Sequence, residues 1–182
     1  MSRKTFVMLD SLRVRIAQED DVDAVASIEA LAFKTDWIGR ERLKSTISLQ
    51  NSRVLVAEIG EKIVGFCILG FRERKSSASL RTIAVLTRGL GVGTALLDAA
   101  EGVVARRGCR SLRLEVREDN RSAVNFYQKA GFYEIGRKPN YYADGITAIR
   151  MHKWVSLNGF RRPWHVFERL IFAVSMMFRR WR

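Results

Sequence analysis

Cysteine is scarce in this chain: Cys67 and Cys109 are the only two in 182 residues. Their number and spacing suit neither a disulfide framework nor a thiolate metal site. Both are expected as reduced thiols in or near the core of a cytoplasmic protein, and no metal is expected. Long apolar runs are missing too. No stretch approaches the roughly 18 residues of a spanning helix. Met1–Asp10 carries basic residues without an apolar segment, so no secretory leader is expected there. Acidic residues are outnumbered, 19 Asp and Glu against 32 Lys and Arg, giving a formal net charge of +13. Such an excess favours anionic partners: a phosphorylated ligand, an RNA-rich assembly or an acidic lipid surface. A solvated basic surface is the plain alternative. Repeats and low-complexity segments are absent. The apolar fraction of 47% is enough for one buried core, so one domain plus an appendage is expected.

What the chain does have is Arg88-Gly89-Leu90-Gly91-Val92-Gly93-Thr94, set between the β-branched run Leu80–Val85 and a helical pattern from Thr94 to Arg107. Strand, glycine turn and helix together build an anion site from backbone. Glycines admit a phosphate without Cβ atoms in the way, and the first helical N–H groups point at it unpaired, with the helix dipole behind them. A P-loop is excluded, because no Lys separates Gly93 from Thr94. A dinucleotide fingerprint fits poorly: Glu115 lies near the required distance, but the third glycine is misplaced and too little chain remains for a second nucleotide-binding half.

Alternation in Leu12–Ile16 predicts a half-buried strand. Asp20 or Asp21 can cap a helix whose inward face is Val22, Val25, Ile28 and Leu31. Gly39–Leu49 reads as a second short helix. Arg53–Ile59 and Lys62–Phe71 are strands joined by a tight Gly60-Glu61 turn, followed by a polar loop from Arg72 to Ser79. After the glycines, Leu96, Ala99, Ala100, Val103 and Val104 face inward until Gly108 ends the helix. Ser111–Arg117 is the next strand. Asn120 can cap a helix over Arg121–Lys129, which Gly131 stops. Phe132–Gly136 and Ile146–Lys153 complete the strands, with a loop over Arg137–Gly145 between them. The order β-α-α-β-β-β-α-β-α-β-β implies an α/β fold: a mixed, mostly antiparallel sheet with a right-handed β-α-β crossover at the glycines and helices on both faces.

Arg88-x-x-Gly-x-Gly after Ile83-Ala84-Val85 resembles motif A of the GNAT N-acetyltransferases. So does Leu114-Glu115-Val116-Arg117-x-x-Asn120-x-x-Ala123-x-x-Phe126-Tyr127-x-x-x-Gly131-Phe132. Together with Asn140-Tyr141-Tyr142-x-Asp144-Gly145 and Ile149-Arg150-Met151, the pattern looks most like the branch that acetylates protein N-termini, typified by ribosomal-protein-alanine acetyltransferases. The resemblance spans roughly Val14 to Lys153. It implies a domain over residues 12–153 and acetyl-coenzyme A as cosubstrate. The implied cosubstrate contacts are Ile83, Ala84, Val85, Arg88, Gly89, Gly91, Val92, Gly93, Thr94, Asn120 and Tyr127. One departure stands out: only Leu86 and Thr87 separate Val85 from Arg88, about two residues fewer than is common in the family.

The residue types suit the chemistry. An amine is protonated at neutral pH and must lose a proton before attacking a thioester. A carboxylate at the sheet centre can take it, and Glu115 sits between the apolar Leu114 and Val116. The competing role is a surface ladder, since alternation puts Arg113, Glu115 and Arg117 on one face. By resemblance Tyr127 supplies a proton to the leaving thiolate; otherwise it is a core aromatic, with Phe126 the rival core residue. Asn120 is a helix cap, a ligand of the pantetheine arm, or both. The resemblance implies that backbone N–H from a bulged strand over Ile83–Val85 steadies the thioester oxygen. Neither cysteine is placed to carry the acetyl group, so direct transfer is expected. By resemblance alone, through Glu115, Tyr127 and the Tyr141-Tyr142 loop, the acceptor is expected to be a protein or peptide α-amine, with a small amine as the rival. A non-catalytic acetyl-coenzyme A-binding module that engages RNA or membrane is the other.

Residues 154–182 form a basic tail with six arginines against one glutamate. Trp164, Phe167, Ile171, Val174, Phe178 and Trp181 recur at 3-4-3-4-3, a helical stripe that starts beside Pro163. Its candidate roles are packing on its own domain or in a homodimer, peripheral contact of residues 163–182 with an anionic membrane, and docking to a partner such as a ribosome-associated one.

Overall fold

The computed structural model describes residues 12–33, 38–73 and 76–156. The amphipathic tail stripe lies outside the described residues. The elements are β1 (Leu12–Ile16), α1 (Val22–Ala32), α2 (Arg40–Ser48), β2 (Ser52–Ile59), β3 (Lys62–Phe71), β4 (Ser77–Val85), α3 (Val92–Arg106), β5 (Ser111–Arg117), α4 (Arg121–Lys129), β6 (Tyr133–Lys138) and β7 (Ala148–Trp154). They form one seven-stranded sheet in the order β1-β2-β3-β4-β5-β7-β6. Only β4 and β5 run parallel, joined through α3; the other pairs are antiparallel.

Period-two patterning divides the core between the two faces. Leu55, Ala57, Cys67 and Leu69 pack with Leu96, Ala100 and Val104 of α3 and with Leu112, Leu114 and Met151. Val54, Val56, Phe66 and Ile68 turn the other way, onto Val25 and Ile28 of α1 and Leu43 of α2. The α3–α4 side is therefore covered along most of the sheet. On the other side α1 and α2 lie over β2 to β4, and among the described residues no helix covers β5, β7 and β6.

The helix ends depart from the sequence pattern in two places. Asp21 does not cap α1 through its side chain. Its carboxylate accepts from Gln18 N–H at 2.7 Å and pairs with Arg15 at 2.6 Å. Arg15 also reaches Glu58, so this cluster ties β1, β2 and the entry to α1 together. Leu31, expected inward, is 78% exposed, and the buried residue near it is Glu29. Glu29 accepts from the N–H groups of Ile38 and Gly39 at 2.9 and 3.1 Å. Gly39 has no side chain to cap α2, and the carboxylate of α1 instead fixes the turn that leads into the helix.

β4 begins at Ser77, inside the segment expected as a loop, because Ser77–Leu80 find partners on β5 and Ala78–Leu80 on β3. β6 likewise extends to Lys138, where Arg137 and Lys138 pair with Ile149 and Ala148. Among the described residues no helix is long and apolar enough to cross a membrane.

α3 lies close on the sheet because Gly65 has no side chain. A Cβ there would stand 2.9 Å from the Ala84 carbonyl oxygen, 3.0 Å from Val92 Cγ1 and 3.2 Å from Leu96 Cδ1. Gly65→Val should therefore lift the start of α3 and cost about 1–3 kcal/mol. Urea unfolding would show it as a lower midpoint, and an unchanged midpoint would mean that the contact is not tight.

Candidate active site

The site starts from a failure of pairing. β4 and β5 are hydrogen-bonded only from Ser77 opposite Ser111 to Leu80 opposite Leu114. On the other edge of β4, Leu69 faces Leu80 while Ile68 faces Thr82, so Arg81 is an extra residue. A bulge bends its strand and shifts which residues face which side. Ala78 and Leu80 pack on the α3 side; past Arg81 it is Ile83 and Val85 that do, and Ala84 turns to α1. From Arg81 onward β4 stays with β3 and leaves β5. Leu86 N–H donates to Val64 C=O at 2.8 Å. Backbone groups alternate along a strand, so the N–H groups of Ile83 and Val85 point away from β3 into the opening, where among the described residues no strand faces them.

The glycine turn closes one end of this opening. Gly89 and Gly91 have φ of +85° and +74°, the left-handed region that glycine enters freely. Space above both is open, with no atom within 4 Å of an added Cβ. Gly91 precedes α3, and the first bond into the helix is Ala95 N–H to Gly91 C=O at 2.9 Å. The N–H groups of Val92, Gly93 and Thr94 come before that ladder, and no side chain caps them. The helix begins two residues before the expected Thr94, and Val92 is its buried anchor. The short Leu86-Thr87 link is accommodated by running one more β3 bond before the turn. Arg88 reaches across to Ser122 Oγ on α4 at 3.3 Å. A Cβ on Gly93 would lie 3.5 Å from Phe126, so α3 and α4 meet there. Asn120 Oδ1 accepts from Ala123 N–H at 3.1 Å, so this residue does cap α4.

Glu115 lies one residue past the last β4–β5 pair. Leu114 and Val116 turn into the α3 core, so its apolar sequence neighbours are on the opposite face. Its own face is the one without a helix, and its side chain is 31% exposed. Lys138 Nζ donates to Glu115 Oε1 at 3.2 Å, and Arg150 Nε, its register partner on β7, stands at 3.9 Å. Arg117, on the same face, binds Asp119 and Asp144 instead. It also lies 4.9 Å over the Tyr142 ring, which pins the segment 139–147 beside the site. Tyr141 stacks edge-on against Tyr142 at 5.1 Å under Lys138.

Tyr127 is on the closed side. It is buried, with ring contacts to Phe126 at 5.2 Å and Phe132 at 5.6 Å. Phe126, expected as a rival core residue, is only half-buried. Burial pushes the Tyr127 phenol well above its ordinary range, and the nearby Cys67 and Tyr142 act in the same direction. Cys67 is fully buried and its thiol is pushed up to about 12 by the same desolvation. Cys109 is buried and raised as well.

Lys138 and Arg150 were missed by sequence reasoning. Arg150 carries only an alternating pattern, and its place beside Glu115 follows from the β5–β7 register. Lys138 fell in a presumed loop.

A parallel strand pair that parts in mid-sheet, with an uncapped glycine-led helix at its mouth, defines an acyltransferase scaffold. A family model described as Acetyltransferase (GNAT) family matches residues 17–132, and the chain belongs to that family. It is an N-acetyltransferase of a family whose cosubstrate is acetyl-coenzyme A. An uncharacterised N-acetyltransferase of Methanocaldococcus jannaschii is 36% identical over 143 residues, which span 77% of this chain and 90% of the relative. An N-alpha-acetyltransferase of Sulfurisphaera tokodaii is 34% identical over 155 residues, 76% of this chain and 90% of its own. Among solved structures, the ribosomal-protein-S18-alanine N-acetyltransferase of Escherichia coli superposes with a TM-score of 0.72. It is 27% identical, and the match covers 84% of this chain and 99% of that one.

A thiol raised to about 12 has on the order of one part in ten thousand as thiolate at pH 8. Iodoacetamide at that pH should leave Cys67 unmodified in the native protein and label it in urea, as read by intact mass. Rapid native labelling of Cys67 would contradict the burial described.

Proposed function

We propose that this enzyme transfers acetyl from acetyl-coenzyme A directly to a primary amine, the α-amine of a protein or peptide. The observation that carries the reading is the opening between β4 and β5, flanked by Glu115 on the helix-free face and Tyr127 on the helix-covered face. When bound, the cosubstrate supplies the activated acetyl group as a thioester. The N–H groups of Val92, Gly93 and Thr94 hold its pyrophosphate, with Gly89 and Gly91 allowing close approach. Ile83 and Val85 offer backbone N–H groups to the arm that enters the gap, and also to charge developing on the thioester oxygen. Ala84, turned to the α1 side, packs rather than binds; Arg88 steadies the loop through Ser122. Asn120 orders α4 and so aims Tyr127.

Glu115 takes one proton from the incoming ammonium, directly or through one water, and the neutral amine then attacks to form the N–C bond. The C–S bond breaks as Tyr127 gives its proton to the departing thiolate; the second proton, released by the acylated nitrogen, restores the phenol through solvent, and Glu115 returns its own proton to solvent. A phenol raised by burial still carries its proton at neutral pH. A thiolate leaving into the same dry pocket is made more basic by the same desolvation, which favours its taking the proton. No covalent acetyl-enzyme on cysteine is invoked, because both cysteines are buried with raised thiols.

The nearest charges to Glu115 are cations, Lys138 and Arg150. A small polycationic acceptor would need an acidic pocket there, so a peptide is favoured.

Glu115→Gln should lower kcat by about a hundredfold. Tyr127→Phe should lower kcat by at least about tenfold while leaving the melting temperature nearly unchanged, since the ring stays. Both should keep the coenzyme A dissociation constant within about twofold, measured by calorimetry. Wild-type rates in both variants would overturn these roles.

A further inference from the structure

Beyond the reaction itself, and resting on the peptide-amine reading, we infer that the acceptor is an acidic segment, with a carboxylate within one or two residues of the acetylated amine. The argument is a charge count on the helix-free face around Glu115. Among the described residues, four cations of β5, β6 and β7 lie there: Arg113, Arg117, Lys138 and Arg150. Arg117 is already saturated, because Asp119 and Asp144 each approach it at two points. His152 is buried between the rings of Tyr133 and Trp154, and burial together with Arg113 holds it below its ordinary range. It therefore adds no charge at neutral pH. Of the remaining three, Lys138 and Arg150 share one carboxylate, Glu115 itself, and Arg113 stands two residues along the strand on the same face. Lys138 and Arg150 are 42% and 39% exposed, and Arg113 is exposed. The acceptor must come in from this side, since α3 and α4 close the other.

That arrangement poses a problem for a neutral or basic peptide. Its ammonium group would have to approach Glu115 past Lys138 and Arg150, with two positive charges uncompensated. It would also have to displace Lys138, whose hydrogen bond occupies the Glu115 oxygen that is to receive the proton. An acceptor carboxylate resolves both. It can take over Arg150 and Lys138, which neutralises the excess and frees Glu115 Oε1. The reach is suitable. Arg150 lies directly across from Glu115, and Arg113 is two residues along the same strand, about 7 Å away. A carboxylate on the first or second side chain of an extended peptide spans that range. The Asp119–Arg117–Asp144 cluster at the far end of β5 carries net negative charge, so the field orients the segment with its acid toward Arg113 and Arg150.

The test compares two peptides of identical sequence except for Asp or Asn at the second position, each acetylated by the full-length protein at low salt. The acidic peptide should have a kcat/KM about tenfold higher, the worth of one partly buried ionic hydrogen bond. Arg150→Glu should reverse the ratio and favour a Lys-bearing peptide, even if its absolute rates fall. Equal rates for the Asp and Asn peptides in the wild type would overturn the inference and leave the peptide reading standing. Acetylation of neither peptide, with turnover of a small amine, would overturn both.

Discussion

Everything functional in this protein hangs on two strands that begin together and then part. Four residues of β4 pair with β5, after which the extra residue at Arg81 turns β4 to stay with β3. In a closed sheet the N–H groups of Ile83 and Val85 would be satisfied by β5. Here they face a gap, which is tolerable only if water or a ligand fills it. The same bend aims the end of β4 at the glycine turn, and Gly65 lets α3 settle over it. The unpaired edge of β4 follows from the bulge and the uncapped amides of α3 from Gly91 at its N-terminus, and the bend brings the two together.

The two faces of the gap are chemically unlike. On one, α3 and α4 exclude water, and Tyr127 and Cys67 keep their protons well beyond neutral pH. On the other, charged side chains stand open around Glu115. Two segments frame the open face, and each is fastened by charge. Glu29 holds the turn into α2 through Ile38 and Gly39. Arg117 holds the segment carrying Tyr141 and Tyr142 through Asp144. A reaction that moves a proton off an amine on one side and onto a sulfur on the other suits such an asymmetry.

Much of the fold was legible in the sequence because local signals agreed. The strand Ser111–Arg117 and the helix Arg121–Lys129, with Asn120 as its cap, emerge with the expected bounds. Alternation, a cap residue and Gly131 all pointed the same way. The glycine turn and its parallel crossover were legible for the same reason. The Arg81 bulge was not: a single inserted residue leaves an alternating stretch that still looks regular, and only pairing with β3 exposes it. Leu31 fits a helical stripe, yet it is exposed and Glu29 is the buried residue, because its carboxylate holds the turn into α2 through Ile38 and Gly39. The partners of Glu115 depend on the β5–β7–β6 register, which the sequence does not state. Lys138 and Arg150 could therefore not be placed beside it in advance.

The central claim is that the gap between β4 and β5 is the cosubstrate track. Backbone amide signals followed by nuclear magnetic resonance during titration with coenzyme A test it most directly. The account predicts the largest shifts, and new protection from exchange, at the amides of Ile83, Val85, Val92, Gly93 and Thr94. Saturable binding that leaves those five amides unmoved would contradict it.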